Sequence, residues 1–75
     1  MRLSQEIIDV PIPGKISSVN VSIGDLVKEG DVLCLLESMK MDIPILAPVD
    51  GSVSEVAVCS GQTVRSGDLV AIIEY

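Results

Sequence analysis

The chain has 75 residues, a formal net charge of −6 and no histidine. A chain of this length forms one domain with a thin hydrophobic core, so we expect a single domain over residues 1–75. The acidic balance disfavours nucleic acid and anionic membranes as partners, and no apolar segment approaches the roughly 20 residues of a membrane span. We therefore expect a soluble cytoplasmic protein. Without histidine or a nucleophile–base pair, an independent enzyme is not expected.

The apolar residues indicate strands rather than helices. They make up 48% of the chain, but Tyr75 is the only aromatic residue. Valine, isoleucine and leucine fill the core instead, and β-branched side chains favour extended backbone. Cys34 and Cys59 are too few and too far apart for a disulfide framework or a zinc site. We expect both to be reduced thiols in or beside the core.

In chain order, short β-rich runs alternate with breaks at glycine, proline and aspartate. A strand over residues 5–10 ends before Pro11 and Pro13. Glycine–aspartate corners bound the next excursion, and residues 32–37 and 41–46 then form two further strand-like runs. The rest of the chain follows the same scheme, and no part of it shows the pattern of a helix.

The chain is one unit written twice. Shifted by 37 residues, the sequence matches itself without a gap. The identical pairs are Pro11 and Pro48, Gly14 and Gly51, Ser17 and Ser54, Val19 and Val56, Val21 and Val58, Gly24 and Gly61, Val27 and Val64, Gly30 and Gly67, Asp31 and Asp68, and Glu37 and Glu74. The repeated glycines mark turns or positions that a Cβ would obstruct.

Two half-units with one apolar face each would pack together and bury both faces. The predicted fold is all-β, a flattened β-barrel or sandwich of two four-stranded halves related by a pseudo-twofold axis. The strand 41–46 is then equivalent to the strand 5–10. The hairpin that precedes 41–46 is equivalent to the place where the two chain termini meet, so we expect the hairpin at one end of the domain and the termini at the other.

The tip of this hairpin breaks a local folding rule. A two-residue turn usually needs Asn-Gly or Asp-Gly, because its central residues have positive φ. The sequence offers Met39-Lys40 instead, followed by Met41. Conflicts between local preference and fold often mark functional sites. The tip is therefore the predicted working end of the molecule.

With the gapless repeat, the segment Glu37-Ser38-Met39-Lys40-Met41 resembles the biotinyl domain of biotin-dependent carboxylases and decarboxylases, a family also called the biotin carboxyl carrier protein. The resemblance covers about Ile7 to Glu74. The commoner motif has alanine in place of Ser38, which is a mild change. Some members carry an inserted loop, the thumb. The first copy has no insertion relative to the second, so no thumb is expected.

The resemblance implies that a biotin protein ligase attaches biotin to Lys40, supplying both the activated acyl group and the base. The biotin would then move a carboxyl group between a biotin carboxylase and a carboxyltransferase or decarboxylase. Met39 and Met41 are implied in ligase and partner recognition, since flexible thioethers fit several surfaces; packing on the barrel rim is the alternative for Met41. Glu37 and Ser38 form the hairpin context, and Glu37 either orients the ligase or is structural.

Two other functions remain open from the sequence. A lipoyl domain shares the fold but typically has Asp-Lys-Ala at its tip, and an unmodified barrel-hybrid interaction module lacks the motif lysine. A metal site is not predicted. Asp25, Asp31 and Asp68 lack the spacing of an EF-hand loop, and aspartate beside glycine is typical of turns.

Overall fold

The computed structural model describes residues 4–75, which form eight strands and no helix. The strands are β1 (Gln5–Asp9), β2 (Gly14–Val19), β3 (Leu26–Val27), β4 (Val32–Ser38), β5 (Met41–Leu46), β6 (Gly51–Val56), β7 (Thr63–Val64) and β8 (Leu69–Glu74). The described part of the chain thus contains no helix that could cross a membrane. The all-β prediction is confirmed.

The strands form two antiparallel sheets of four. One sheet has the order β1-β8-β6-β3 and the other the order β5-β4-β2-β7. Adding 37 to the bounds of β2 and β3 gives the bounds of β6 and β7, and the same shift turns the order of the second sheet into that of the first. The predicted pseudo-twofold relation between four-stranded halves is therefore confirmed.

The core between the sheets also follows the 37-residue repeat. Every buried apolar side chain of the described residues except Val58 has a buried apolar partner 37 positions away, and the partner of Val58, Val21, packs against the core. The pairs are Ile8 and Ile45, Val10 and Ala47, Ile16 and Val53, Val27 and Val64, Leu33 and Val70, Cys34 and Ala71, and Leu36 and Ile73. Burial of both inner faces is what holds the two half-units together.

The aspartates of the corners stabilise turns. The Asp31 carboxylate accepts a hydrogen bond from the backbone N–H of Lys28 at 2.9 Å, and the Asp68 carboxylate accepts the equivalent bond from Arg65 at 2.9 Å. Asp25 accepts a bond of the same kind from Ser22 at 2.8 Å. The turn role predicted for these three side chains is confirmed. Among residues 4–75, no cluster of acidic or cysteine side chains is arranged to hold a metal ion.

The chain ends meet where the repeat requires. Ser4 and Tyr75 exchange two backbone hydrogen bonds, of 3.0 and 3.1 Å, beyond the last pair of the β1–β8 ladder. This is the position equivalent to the β4–β5 hairpin. The connections that precede β3 and β7, residues 20–25 and 57–62, are equal in length, so the first half carries no loop that the second lacks.

Candidate functional site

The β4–β5 hairpin is closed by a turn of two residues, Met39 and Lys40. The last ladder pair is Ser38 with Met41, and the two residues between them have φ values of 53° and 64°. Two consecutive positive φ values are the signature of the tight hairpin turn that normally selects Asn-Gly. Met39 and Lys40 are the only non-glycine residues with positive φ in the described chain. The predicted conflict at the tip is therefore present in the structure.

The side chains of the tip face solvent. Met39 is 91% exposed and Met41 is 64% exposed, and Lys40 between them is also exposed. Met41 is more covered than Met39, and its packing on the barrel rim stays an alternative prediction. A thioether as exposed as that of Met39 contributes almost nothing to the core. The arrangement presents one primary amine, flanked by two flexible apolar side chains, to an approaching protein.

The base of the hairpin is held against the segment that enters β2. The Ser38 hydroxyl donates a hydrogen bond of 3.0 Å to the backbone carbonyl of Pro13. Gly14 begins β2 directly below the hairpin, and a Cβ there would lie 2.5 Å from the carbonyl oxygen of Glu37. Only glycine allows such an approach without a shift of backbone. The strained tip thus stands on a fixed base.

Two carboxylates lie on the same hairpin as Lys40. Glu37 and Asp42 are paired across β4 and β5, one step below the turn, and Lys15 on β2 is the other cross-strand neighbour of Glu37. All three side chains are exposed. Like charges directly opposite each other destabilise a sheet slightly. The tip therefore combines an apolar surface with two acidic and two basic side chains.

The two cysteines differ in environment, and neither belongs to the tip. Both are free; Cys34 is buried in the core, and burial raises the pKa of its thiol. Cys59 is exposed, in the turn before β7, where its backbone N–H donates a hydrogen bond of 3.1 Å to the side chain of Gln62. The prediction of a core position is confirmed for Cys34, whereas Cys59 lies at the surface.

Sequence reasoning brought the five motif residues to one hairpin but missed their support. The contact from Ser38 to Pro13 and the close approach of Gly14 to Glu37 join residues more than twenty positions apart. One signal in the sequence pointed towards the second contact, because Gly14 has an identical repeat partner in Gly51. Gly51 meets the carbonyl of Glu74 in the same manner.

Comparison with known proteins agrees with this geometry. A family model described as "Biotin-requiring enzyme" matches residues 6–73. The glutaconyl-CoA decarboxylase subunit gamma of Acidaminococcus fermentans is 56% identical over 39 residues, which cover 52% of this chain and 27% of that subunit. A homologue of biotinylated protein TB7.3 from Mycobacterium leprae is 58% identical over 36 residues, covering 48% of this chain and 51% of that protein. The chain therefore matches only part of the length of these relatives.

Solved structures show the same fold. The urea carboxylase of Kluyveromyces lactis contains a segment that superposes with a TM-score of 0.87 at 29% identity, covering 97% of this chain and 6% of the carboxylase. A single-chain long-chain acyl-CoA carboxylase superposes with a TM-score of 0.88 at 26% identity, covering 99% of this chain and 8% of that enzyme. From the match over residues 6–73, the chain belongs to the biotin/lipoyl family of the biotin-requiring enzymes.

Proposed function

We propose that residues 1–75 act as one biotin carboxyl carrier domain and that Lys40 is the residue to which biotin is attached. The observation that carries this proposal is the hairpin tip, where two non-glycine residues at positive φ present the lysine between two exposed methionines. Nothing in the packing of residues 4–75 requires this turn sequence. A site of covalent attachment does require a reachable amine at a defined position.

The residues of the tip fit a biotin group joined through an amide. The ε-amine of Lys40 stands in solvent, so an active site that approaches along the hairpin axis can enclose it. A lysine in water is an ammonium, and it must lose a proton before it can attack an activated acyl group. The carboxylates of Glu37 and Asp42 pair with each other one step below the turn rather than with Lys40, and a carboxylate is a far weaker base than an amine. The ligase is therefore expected to remove the proton.

The flanking residues take the recognition roles. Met39 and Met41 offer the apolar, adaptable surface that a series of different partners needs. Ser38 ties the base of the hairpin to Pro13 and so limits the orientations of the tip. Glu37 is exposed beside it, and we propose that its charge adds to the surface that the ligase reads.

The proposed partners are a biotin protein ligase, a biotin carboxylase, and a carboxyltransferase or decarboxylase. When attached, biotin carries a carboxyl group between the active sites of such enzymes. Relatives named as decarboxylase and carboxylase subunits support this class of complex. The domain would be a carrier and not itself a catalyst, and its location in the cytoplasm stays a prediction. No observation favours a lipoyl group, since the tip lacks the Asp-Lys-Ala sequence typical of lipoyl domains.

The first test is the replacement of Lys40. The chain is coexpressed with a biotin protein ligase and excess biotin, and streptavidin-induced mobility shift measures the biotinylated fraction. We expect a nearly complete shift for the unsubstituted chain and for Lys15→Arg, which alters another exposed lysine, and no shift for Lys40→Arg. The free energy of unfolding of Lys40→Arg, measured by thermal unfolding, should stay within about 0.5 kcal/mol of that of the original chain, as for most surface changes. A streptavidin shift of the Lys40→Arg protein would contradict the proposal.

A further inference from the structure

The first half of the domain carries an apolar corner that the second half lacks. We define the apolar corner as Ile23 and Leu26 with the cleft beside them. Ile23 is 68% exposed and Leu26 is 78% exposed. The cleft has a volume of about 340 Å³ and is lined by Leu26, Val27, Lys28, Asp50 and Gly51. Single exposed aliphatic residues are ordinary, but here two lie three positions apart in one corner and the second, Leu26, lines the cleft; we refer to the two together as the patch.

The pseudo-twofold symmetry shows that the fold does not require this patch. The residues equivalent to Ile23 and Leu26 are Ser60 and Thr63. Both corners have the same backbone path, because Gly24 and Gly61 have φ values of 95° and 89° and each donates its backbone N–H to a carbonyl of the neighbouring strand. A polar pair therefore serves equally well at this position, and the apolar pair needs another explanation.

The rim of the apolar corner is acidic, and that of the equivalent corner is not. Asp50 lines the cleft and accepts a hydrogen bond of 2.7 Å from the backbone N–H of Glu29, and Asp25 directly precedes Leu26 in the chain. Their equivalents in the second half are Gln62, Ser66 and Pro13, none of them charged. The one basic position, Lys28 with its equivalent Arg65, is common to both. The patch thus differs from its internal counterpart in charge as well as in hydrophobicity.

The apolar corner belongs to the end of the fold away from the hairpin. Its strand, β3, pairs with the first residues of β6, and these pair with the end of β8 next to Tyr75. The polar corner lies near the hairpin instead, because β7 pairs with Gly14 and Lys15 at the start of β2. A protein that holds the apolar corner would leave the tip accessible.

We propose that the apolar corner is a docking surface for a partner protein that presents aliphatic side chains bordered by lysine and arginine. This inference rests on the proposed carrier function, since the partner is taken to be one of the enzymes that exchange the carboxyl group. The acidic rim sets the charge of the occupant. A second copy of this chain, nucleic acid and an anionic membrane would all be repelled by a domain of formal charge −6.

The test uses residues of the second half as replacements. Ile23→Ser with Leu26→Thr installs the side chains of the polar corner, and Glu29→Ser removes one charge of the rim. Ile7→Thr is the matched control, because Ile7 is 59% exposed on β1, outside the corner. Isothermal titration calorimetry measures binding of each biotinylated domain to purified biotin carboxylase and to purified carboxyltransferase or decarboxylase from the same organism, at low and high salt.

We expect the double replacement to weaken binding to one of these enzymes at least tenfold. Glu29→Ser should weaken it at low salt only, Ile7→Thr should have no effect, and ligase should biotinylate all variants at the original rate. Unchanged dissociation constants with both enzymes, or no measurable binding by the original chain, would overturn the docking surface while leaving the carrier function intact. If sedimentation shows that the original chain is a dimer and that the double replacement makes it a monomer, the occupant of the apolar corner is a second copy of this chain and the proposed partner is wrong. Failure of the original chain to take up biotin would instead refute the carrier function.

Discussion

The hairpin tip and the meeting point of the chain ends are equivalent positions in the two halves, and they differ in how they are closed. At the ends, Ser4 and Tyr75 pair through two backbone hydrogen bonds. At the tip, the two strands of the equivalent ladder are connected by a turn of Met39 and Lys40, both of which have positive φ. The β1–β8 ladder at the chain ends forms without any turn, so strand pairing alone does not require the Met39-Lys40 sequence. The strain is therefore confined to the half that presents the proposed attachment site.

The residues shared by the two halves are those of the scaffold. The buried core positions, the corner glycines and the turn aspartates Asp31 and Asp68 occur in both copies, and the two aspartates make the same hydrogen bond. Glu37 has an identical counterpart in Glu74, whereas Ser38 corresponds to Tyr75 and Met41 to Ser4. The positions that differ between the copies include those of the tip and of the apolar corner, where the exposed residues of one copy are apolar and those of the other are mostly polar. Departure from internal symmetry is thus the best guide to function in this chain.

Substitution of Gly14 or Gly51 is expected to have the largest effect on the stability of the two copies. A Cβ at Gly14 would collide with the carbonyl of Glu37, and one at Gly51 with the carbonyl of Glu74. We expect Gly14→Ala and Gly51→Ala each to lower the free energy of unfolding by about 1–3 kcal/mol, as overpacking does. Only Gly14→Ala should also slow biotinylation, since Glu37 is at the base of the hairpin. Chemical denaturation measures the free energy of unfolding, and a timed ligase assay measures the rate of biotinylation. Equal slowing of biotinylation by both variants would show that the Gly14 contact has no special role in supporting the tip.

Substitution of the corner glycines, Gly24 and Gly61, is expected to lower stability equally in the two copies and to leave biotinylation unchanged. A Cβ at Gly24 or Gly61 meets nothing within 4 Å, so the cost of a substitution comes from the positive φ. We expect Gly24→Val and Gly61→Val each to destabilise the domain by about 1–2 kcal/mol, the usual cost of left-handed backbone for an L-residue. Differential scanning calorimetry should show similar decreases in both variants. An unchanged thermal midpoint would mean that valine fits this backbone without strain.

Replacement of the turn residue Met39 is expected to have the smallest effect on stability, and of opposite sign. Asparagine tolerates positive φ, so Met39→Asn should raise the free energy of unfolding by up to about 1 kcal/mol. The same change removes an exposed thioether and should slow biotinylation. Met41→Asn is the control, because Met41 has no positive φ and its replacement should slow the ligase without stabilising the fold. A Met39→Asn protein biotinylated at the original rate would show that Met39 is not read by the ligase.

The sequence predicted most of the architecture because the repeat fixes it. The internal match located each strand of the second half from one in the first, and two prolines and the glycine corners marked the breaks. The first strand ends at Asp9 rather than at residue 10, and its pairing with β8 shifts register after Ile8. The register shifts between Ile16 and Ser18 in β2 and between Val53 and Glu55 in β6 were not predicted either, because packing between strands rather than local sequence sets register.

The candidate site was predicted in part for a related reason. A turn that conflicts with its own sequence is visible in the sequence itself, and so the tip was found. The support from Pro13 and Gly14 depends on contacts across the sheet, and the exposure of Ile23 and Leu26 depends on which face of the corner meets solvent. Neither follows from composition or spacing.

The most direct test of the carrier function is a mass spectrum of the intact chain coexpressed with a biotin protein ligase and excess biotin, followed by fragmentation of the modified species. The chain has three lysines, Lys15, Lys28 and Lys40. We expect a single biotin-sized gain in mass located on Lys40 and none on the other two, as the carrier function requires. A folded protein with no gain, with a gain on Lys15 or Lys28, or with a lipoyl-sized gain would contradict it.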